Sequence, residues 1–366
     1  MTTPSSKDGM NYRPAQVPTK PVVGKGDFQF AAAFFDHGHI YAQIDGLAAA
    51  GGELVAVFDP DPSRYDAVLA SHPEARPVDC YERLLEDPAI QLVTAAAVPS
   101  ERAEIGIRTM RAGKDYFTDK SPFTTLEQLA RVRQVVRETK RKYMVCYSER
   151  LLSESAYHAG ELIREGAIGT PLQVLNLAPH NLNAASRPEW FFDKARYGGI
   201  LTDIGSHQFE QFLHYTASRD GTVLSARVDN LGHPEFPGLE DFGEASLVLS
   251  SGASAYCRLD WFNPAGSKVW GDGRTFVLGT KGYLEIRKYR DLVHGPGDRI
   301  YLVDDKDEHL IECAGRVGFP FFGKFVLDCL NRTENAMTQE HAFAAAELSM
   351  KAQAVADAAP RRKLHP

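Results

Sequence analysis

Between Phe28 and Tyr147 the chain alternates short apolar runs with helical stretches, and this alternation restricts it to one architecture. Phe28–Phe35 (FQFAAAFF) is apolar except for Gln29, and Glu53–Asp59 (ELVAVFD), Gln91–Ala97 (QLVTAAA), Asp115–Thr118 and Lys142–Tyr147 (KYMVCY) follow in turn. Each run is short and apolar on both faces, the pattern of a strand covered on both sides. The intervening segments read as helices. Ile40–Ala50 ends at Gly51-Gly52, Tyr81–Glu86 precedes Pro88, and Glu101–Ala112 is closed by Gly113. A last one runs to about Lys140 behind a capping box of Thr124 and Glu127. Strand and helix in strict alternation predict a parallel, doubly wound α/β sheet of the Rossmann type.

After Arg150 the texture changes. A helix over Glu154–Glu165 is followed by longer strands with partial alternation: Leu172–Pro179, Val223–Asn230, Glu244–Ser250, Ala253–Phe262, Thr275–Leu278, Tyr283–Lys288 and Arg299–Val303. Their turns are rich in Gly, Ser and Asp, which predicts a largely antiparallel open sheet with helices on one face. Helices are expected near Ile204–Tyr215 and over Gln339–Ala358. The fold class is therefore α/β plus α+β. Residues 1–27, polar and proline-rich, read as an extended arm or disordered tail. Residues 28–150 form the dinucleotide-binding domain, 151–338 a substrate and oligomerisation domain, and 339–366 a C-terminal helix packing back on the body.

Bulk properties narrow the function. A chain of 366 residues suits two domains better than one core. A net charge of -7 with no block of Lys or Arg disfavours nucleic acid and anionic membranes. No apolar stretch approaches the roughly 20 residues that span a bilayer, and no signal-peptide apolar region opens the chain. Five scattered cysteines without a CxxC pair fit a reducing cytoplasm and no metal site; Cys146 and Cys257 lie in apolar runs and read as packing residues.

The candidate dinucleotide loop is Asp36-His37-Gly38-His39-Ile40-Tyr41. A Rossmann fingerprint wants three glycines here, and only the middle one, Gly38, is present. The context fits, since the loop leaves a strand and opens a helix with backbone donors at Gly38, His39 and Ile40. Asp59 ends the second strand, where a carboxylate accepts ribose hydroxyls and repels a 2'-phosphate, so NAD is favoured over NADP; Arg64 nearby weakens that preference. Asp36 beside a diphosphate is repulsive unless paired, with His37 or His39 as candidate partners, or unless it caps the helix instead. Asp36, His37 and His39 are metal-ligand types, but no further ligand cluster accompanies them, so no metal is expected.

Two further segments carry chemistry. Lys120, in Thr118-Asp119-Lys120-Ser121-Pro122, lies at the carboxyl end of a predicted parallel strand, where ligands collect. An amine there can bridge cofactor and substrate, holding a hydroxyl near the nicotinamide and easing its deprotonation. A solvated surface lysine is the plainer alternative. In Gly198–His207 (GGILTDIGSH), Asp203 and His207 stand one helical turn apart and can orient a hydroxyl and take its proton. A helix-start aspartate and a core histidine are the plainer alternative there. Arg150, His180, Asn181, Trp190 and Tyr197 are candidate substrate contacts, Trp190 by stacking on a sugar ring or, equally, as a core residue.

These motifs, taken in order, resemble the glucose–fructose oxidoreductase / inositol dehydrogenase / MocA (Gfo/Idh/MocA) family. Asp119-Lys120 is similar to its E-K-P lysine motif, with Asp119 for glutamate and Ser121 for proline. Gly198–His207 matches its G-G-x-x-x-D-x-G-x-H. Gly166-Ala167-Ile168-Gly169 matches G-x-I-G, Ala97-Val98-Pro99-Ser100 resembles T-P-N with Ser100 for Asn, and Leu278–Gly282 resembles a late G-x-x-G hairpin. The resemblance spans roughly Phe28 to Ala358. It implies an NAD(P)-linked dehydrogenase of sugars, inositols or glycosides, commonly a homo-oligomer such as a dimer or tetramer joined through the C-terminal sheet. It implies Lys120 and His207 as an acid–base pair, Asp203 as a substrate-positioning residue, and Pro99 and Ser100 beside the cofactor. The altered glycine loop and Ser121 leave open a non-redox lyase, epimerase or glycosidase with retained NAD, or a non-catalytic sensor of a sugar or dinucleotide.

Overall fold

A computed structural model describes residues 9–15, 17 and 19–360. By their contacts these fall into two compact units, one holding residues 10–146 with 319–342, the other 147–318 with 343–360 and Gly9.

In the first unit, in chain order, lie β1 (Gln29–Ala33), α1 (His39–Ala49), β2 (Glu53–Phe58), α2 (Asp66–Ser71), β3 (Arg76–Pro77), α3 (Tyr81–Glu86), β4 (Leu92–Ala95), α4 (Arg102–Arg111), β5 (Asp115–Asp119), α5 (Leu126–Thr139) and β6 (Tyr143–Cys146). The six strands form one parallel sheet in the order β3-β2-β1-β4-β5-β6. That is the doubly wound order whose direction reverses between β1 and β4, where nucleotides bind. Ala31–Ala33, Leu92–Ala95 and Tyr116–Phe117 are fully buried, as expected of strands covered on both faces. Two residues of β3 escape the sequence reading because so short a strand carries no period. The α5 cap is Thr125 with Gln128, each side chain bonding the other's backbone, one residue beyond the expected Thr124 and Glu127.

The second unit adds α6 (Ser148–Leu151), α7 (Glu154–Arg164), β7 (Pro171–Pro179), α8 (Lys194–Tyr197), α9 (Ile200–Asp203), α10 (Gly205–Tyr215), β8 (Gly221–Asp229), β9 (Phe242–Leu249), β10 (Ser254–Asp260), β11 (Arg274–Gly279), β12 (Gly282–Arg287), β13 (Arg290–Asp291), β14 (Gly295–Pro296), β15 (Arg299–Asp304) and β16 (Glu308–Glu312). Eight of these strands pair as β16-β15-β12-β11-β7-β10-β9-β8. Only β7 with β10 is parallel; the other pairs are antiparallel. Helices α7, α9 and α10 lie against this sheet. Burial alternates along the central strands, so Val174, Val277, Leu284 and Ile286 are buried while Phe276, Leu278 and Tyr283 stand on the opposite face.

Two helices complete the chain, α11 (Pro320–Asn331) and α12 (Gln339–Ala358). The sequence reading runs a single domain from 151 to 338 and does not foresee α11. Phe321, Phe322 and Phe325 of α11 pack on Phe117 of β5, and Arg332 pairs with Asp115, which places residues 319–342 with the parallel sheet. Among the described residues no helix is long and apolar enough to cross a membrane.

Candidate active site

The parallel sheet gathers its polar residues at the carboxyl ends of β1, β2, β4 and β5. Asp59, just beyond β2, is buried. It accepts the Phe35 amide at 2.6 Å and the Asp61 amide at 2.8 Å. Burial pushes its carboxyl above the ordinary value despite those two bonds and the Arg64 charge. Arg64 donates to Asp36 at 2.7 Å and lies 3.7 Å from Asp59 and from Asp61. Asp36 is therefore neutralised by Arg64, neither pairing with the histidines nor capping α1, whose cap is Gly38.

The histidines turn instead to Asp119, at the end of β5. His39 Nδ1 lies 3.0 Å from Asp119 Oδ1, and His37 Nδ1 lies 3.8 Å from Oδ2. The two rings lie 4.1 Å apart between centroids. His37 Nδ1 accepts the His39 amide at 3.2 Å, so a neutral His37 carries its proton on Nε2. Burial, first, and the neighbouring His39 drive the His37 pKa well down, against the pull of Asp119. Burial alone would raise the Asp119 carboxyl, but His39 and Arg102 outweigh it and hold it well below the usual range. By distance, His37, His39 and Asp119 could bind a metal ion. Arg102, 3.5 Å from Asp119, already supplies the compensating positive charge.

Arg102 fixes this corner. Fully buried on α4, it donates from Nε to the Ala97 carbonyl at 2.7 Å and from one terminal nitrogen to the carbonyls of Lys120 and, at 3.1 Å, Ser121. One side chain thus ties the end of β4 to the end of β5 and anchors the backbone of Lys120, itself buried and joined to Ser121 by a cis peptide. Pro99 and Ser100 form a 3-10 turn after β4, held by Gln128 on the Ser100 carbonyl at 2.9 Å.

In the second unit the glycine pair does what the motif requires. Gly198 and Gly199 adopt φ of +92° and +94°, open to glycine without strain. A Cβ on Gly199 would lie 2.5 Å from Gln353 Oε1, the atom that caps the Leu201 amide at 3.0 Å. Asp203 and His207, both buried, do not share one continuous helix: α9 ends at Asp203 and α10 begins at Gly205. The His207 amide bonds back to Ile204 at 3.1 Å, tightening the turn.

Beside His207 lies a carboxylate that the sequence did not single out. Glu149 is buried. It accepts from Lys288 at 2.6 Å and from Gln208 at 2.9 Å, and His180 Nε2 stands 3.6 Å away. Burial opposes its ionisation, but Lys288, His207 and His180 overcome this and hold its pKa well below the ordinary value. His180 Nδ1 faces the Ala178 carbonyl at 3.0 Å and so carries a proton; attraction from Nε2 to Glu149 then needs a second proton. The sequence reading took Arg150 from this turn. Its neighbour Glu149 points to the His207 side, whereas Arg150 is buried against Glu210 with two bonds of 2.8 Å. Tyr197 is likewise committed, donating to the Gly238 carbonyl at 3.2 Å and accepting the Glu240 amide at 2.9 Å. Trp190 is buried against Phe191. Arg150, Tyr197 and Trp190 are thus buried and packed or bonded within this unit. Asn181 bonds the Asn263 carbonyl at 3.3 Å, and His180 packs between Trp261 and Trp270.

Comparison with known proteins gives this arrangement its context. Residues 22–147 match a model described as the oxidoreductase family with an NAD-binding Rossmann fold, and residues 157–285 match the GFO/IDH/MocA C-terminal domain. A crystal structure of a proposed oxidoreductase from Erwinia carotovora atroseptica is 45% identical, with a TM-score of 0.88 over 92% of this chain and 99% of its own. The chain belongs to the Gfo/Idh/MocA family. Within that family, scyllo-inositol 2-dehydrogenase (NAD(+)) of Bacillus subtilis is 26% identical over 69% of this chain and 71% of its own. A levoglucosan dehydrogenase solved with NADH and levoglucosan shares the fold at 15% identity, TM-score 0.77, over 90% of this chain and 97% of its own. The chain is thus an oxidoreductase-family protein with sugar and inositol dehydrogenases among its relatives. Against that background, Arg102, Glu149 and Lys288 are the polar residues the sequence left unmarked. Their partners lie up to 139 residues away, and no local spacing announces them.

Proposed function

We propose that this protein is an NAD-dependent dehydrogenase or reductase that moves hydride between a nicotinamide cofactor and a hydroxyl-bearing carbon of a sugar, inositol or glycoside. The observation that carries the proposal is the end of β5, where a buried arginine anchors a buried lysine at the carboxyl edge of a parallel sheet. The residues suit a dinucleotide at two points. Asp59 sets a buried carboxylate where ribose hydroxyls bond, and Gly38 leaves the start of α1 without a side chain. Around Arg64 stand Asp36, Asp59 and Asp61, so a 2'-phosphate would meet three carboxylates and one guanidinium. NAD is favoured over NADP on that ground.

A bound nicotinamide would supply or accept the hydride. Gly38, His39, Ile40, Asp59, Pro99 and Ser100 form the cofactor's surroundings. Lys120 holds the reacting hydroxyl, His207 exchanges its proton, and Asp203 fixes its orientation. Glu149 stands close enough to His207 for their charges to interact, one of the causes that hold its carboxyl below the ordinary value. His180 and Asn181 remain as substrate contacts.

The test is to add NAD, then a panel of sugars, inositols and glycosides, and follow the nicotinamide absorbance. Steady NADH production supports the proposal; product without net NADH favours the non-redox alternative. Lys120→Ala should cost at least about 10²-fold in turnover while sparing NADH binding. A fully active variant removes the catalytic assignment. A cytoplasmic homo-oligomer, a dimer or tetramer, completes the proposal. It would be joined through the sheet face bearing Phe276, Leu278 and Tyr283, where Leu278 pairs with Tyr283 across β11 and β12.

A further inference from the structure

Gly38 occupies the place of the second glycine of a Rossmann fingerprint, the position kept bare so that a pyrophosphate can reach the backbone. In this chain that space is already taken. A Cβ built on Gly38 would collide with Asn11 Oδ1 and would lie 2.8 Å from the Met10 carbonyl oxygen. Two acceptor oxygens of one short segment therefore stand where a diphosphate would bring its own. The segment is held along α1. Met10 is buried, Arg13 Nε donates to Asp45 Oδ2 at 2.9 Å, and the Arg13 guanidinium sits 5.4 Å from the centre of the Tyr41 ring. Gly38, Tyr41 and Asp45 follow one another at spacings of three and four, so they share a face of the helix. Tyr41, which replaces the third glycine, is thereby given a use: its ring is the platform on which Arg13 rests.

An oxygen in contact with Gly38 and a phosphate approaching the same backbone exclude one another by volume alone. We propose that residues 10–13 are an internal competitor of the cofactor diphosphate, so that the N-terminal segment must leave α1 before a dinucleotide can seat. This rests on the dinucleotide reading of the loop given above. At Arg13 the hold is a partly exposed ion pair and a cation–π contact, each of a size that a nucleotide's binding energy can displace.

The test needs no substrate. NADH affinity is measured by fluorescence titration for the full chain, for a variant lacking residues 1–13, and for full-length Asn11→Ala and Arg13→Ala. If the segment lies down in about nine of ten molecules, its removal tightens NADH binding about tenfold, and Arg13→Ala yields part of that gain. In the unaltered protein, NADH should also speed hydrogen exchange over residues 10–13. Affinity unchanged or weakened on removal, or exchange slowed by NADH, overturns the proposal and makes the segment inert or a clamp. Should the shortened variant fail to fold, Arg13→Ala and the exchange measurement decide alone. Failure of both the full and the shortened chain to bind NADH is a different result, and it removes the dinucleotide reading itself.

Discussion

Replacing Arg102 with methionine keeps its bulk and removes its charge and donors. The Arg102 terminal nitrogen lies 3.5 Å from Asp119, and neither side chain reaches solvent. At an effective dielectric of about 20, that separation corresponds to about 5 kcal/mol of attraction. Breaking a buried pair by removing one partner is expected to cost about 3–5 kcal/mol, which agrees. The carbonyls of Ala97, Lys120 and Ser121 lose their donor as well, and an orphaned buried acceptor costs about 1–3 kcal/mol. Partial relaxation offsets some of this, so a loss of about 4–6 kcal/mol is expected. At about 2–4 °C per kcal/mol for a domain of this size, the melting temperature should fall by about 8–24 °C. Scanning calorimetry checks it, with Arg131→Met as the control. Arg131 and Glu104 also pair, at 2.7 Å, but both are exposed, and such pairs are worth at most about 1 kcal/mol. Arg102→Lys keeps the charge but cannot span three carbonyls, and should fall between the two. If Arg102→Met melts within about 2 °C of the parent protein, the assignment of this side chain as the anchor of β4 and β5 is wrong.

Other outcomes follow from the second unit. Glu149 has a folded pKa below its ordinary value, so its pairing with Lys288 stabilises the fold in and above the usual carboxylate range and is lost progressively as pH falls below that range toward the depressed folded value. Glu149→Gln should lower the melting temperature at neutral pH and flatten its decline below about pH 4.5; an unchanged acid limb contradicts this. Asp298 behaves in the opposite sense: burial pushes its carboxyl up to about 6 against bonds from Ser155 and Glu154. Folding therefore favours its protonated form, and stability from this group declines as pH rises from about 4 to 6, by about 3 kcal/mol. Its carboxyl carbon resonance should titrate near that pH, and a midpoint at an ordinary aspartate value refutes it. Light scattering should show a dimer or larger for the parent protein, and Leu278→Lys should reduce the assembly; a monomeric parent protein removes the proposed interface.

The sequence by itself determined most of the elements. Apolar runs covered on both faces, the glycines at helix ends and the turn-rich strands of the second half record local backbone preferences, and the parallel and antiparallel sheets follow from them. Lys120, Asp203 and His207 stand out in the sequence only through motifs that resemble those of the family, and their roles are the proposal made above. The short strand β3, the cap at Thr125 and the helix α11 were decided by packing, since two residues carry no period and Phe321, Phe322 and Phe325 find their reason only against Phe117. Charge pairing was likewise left to the tertiary structure. Asp36 meets Arg64, the histidines meet Asp119, Arg150 turns to Glu210, and Glu149 receives Lys288 from far along the chain. A buried charge needs an opposite charge nearby in space, and nothing in the order of residues states which distant one the fold will bring.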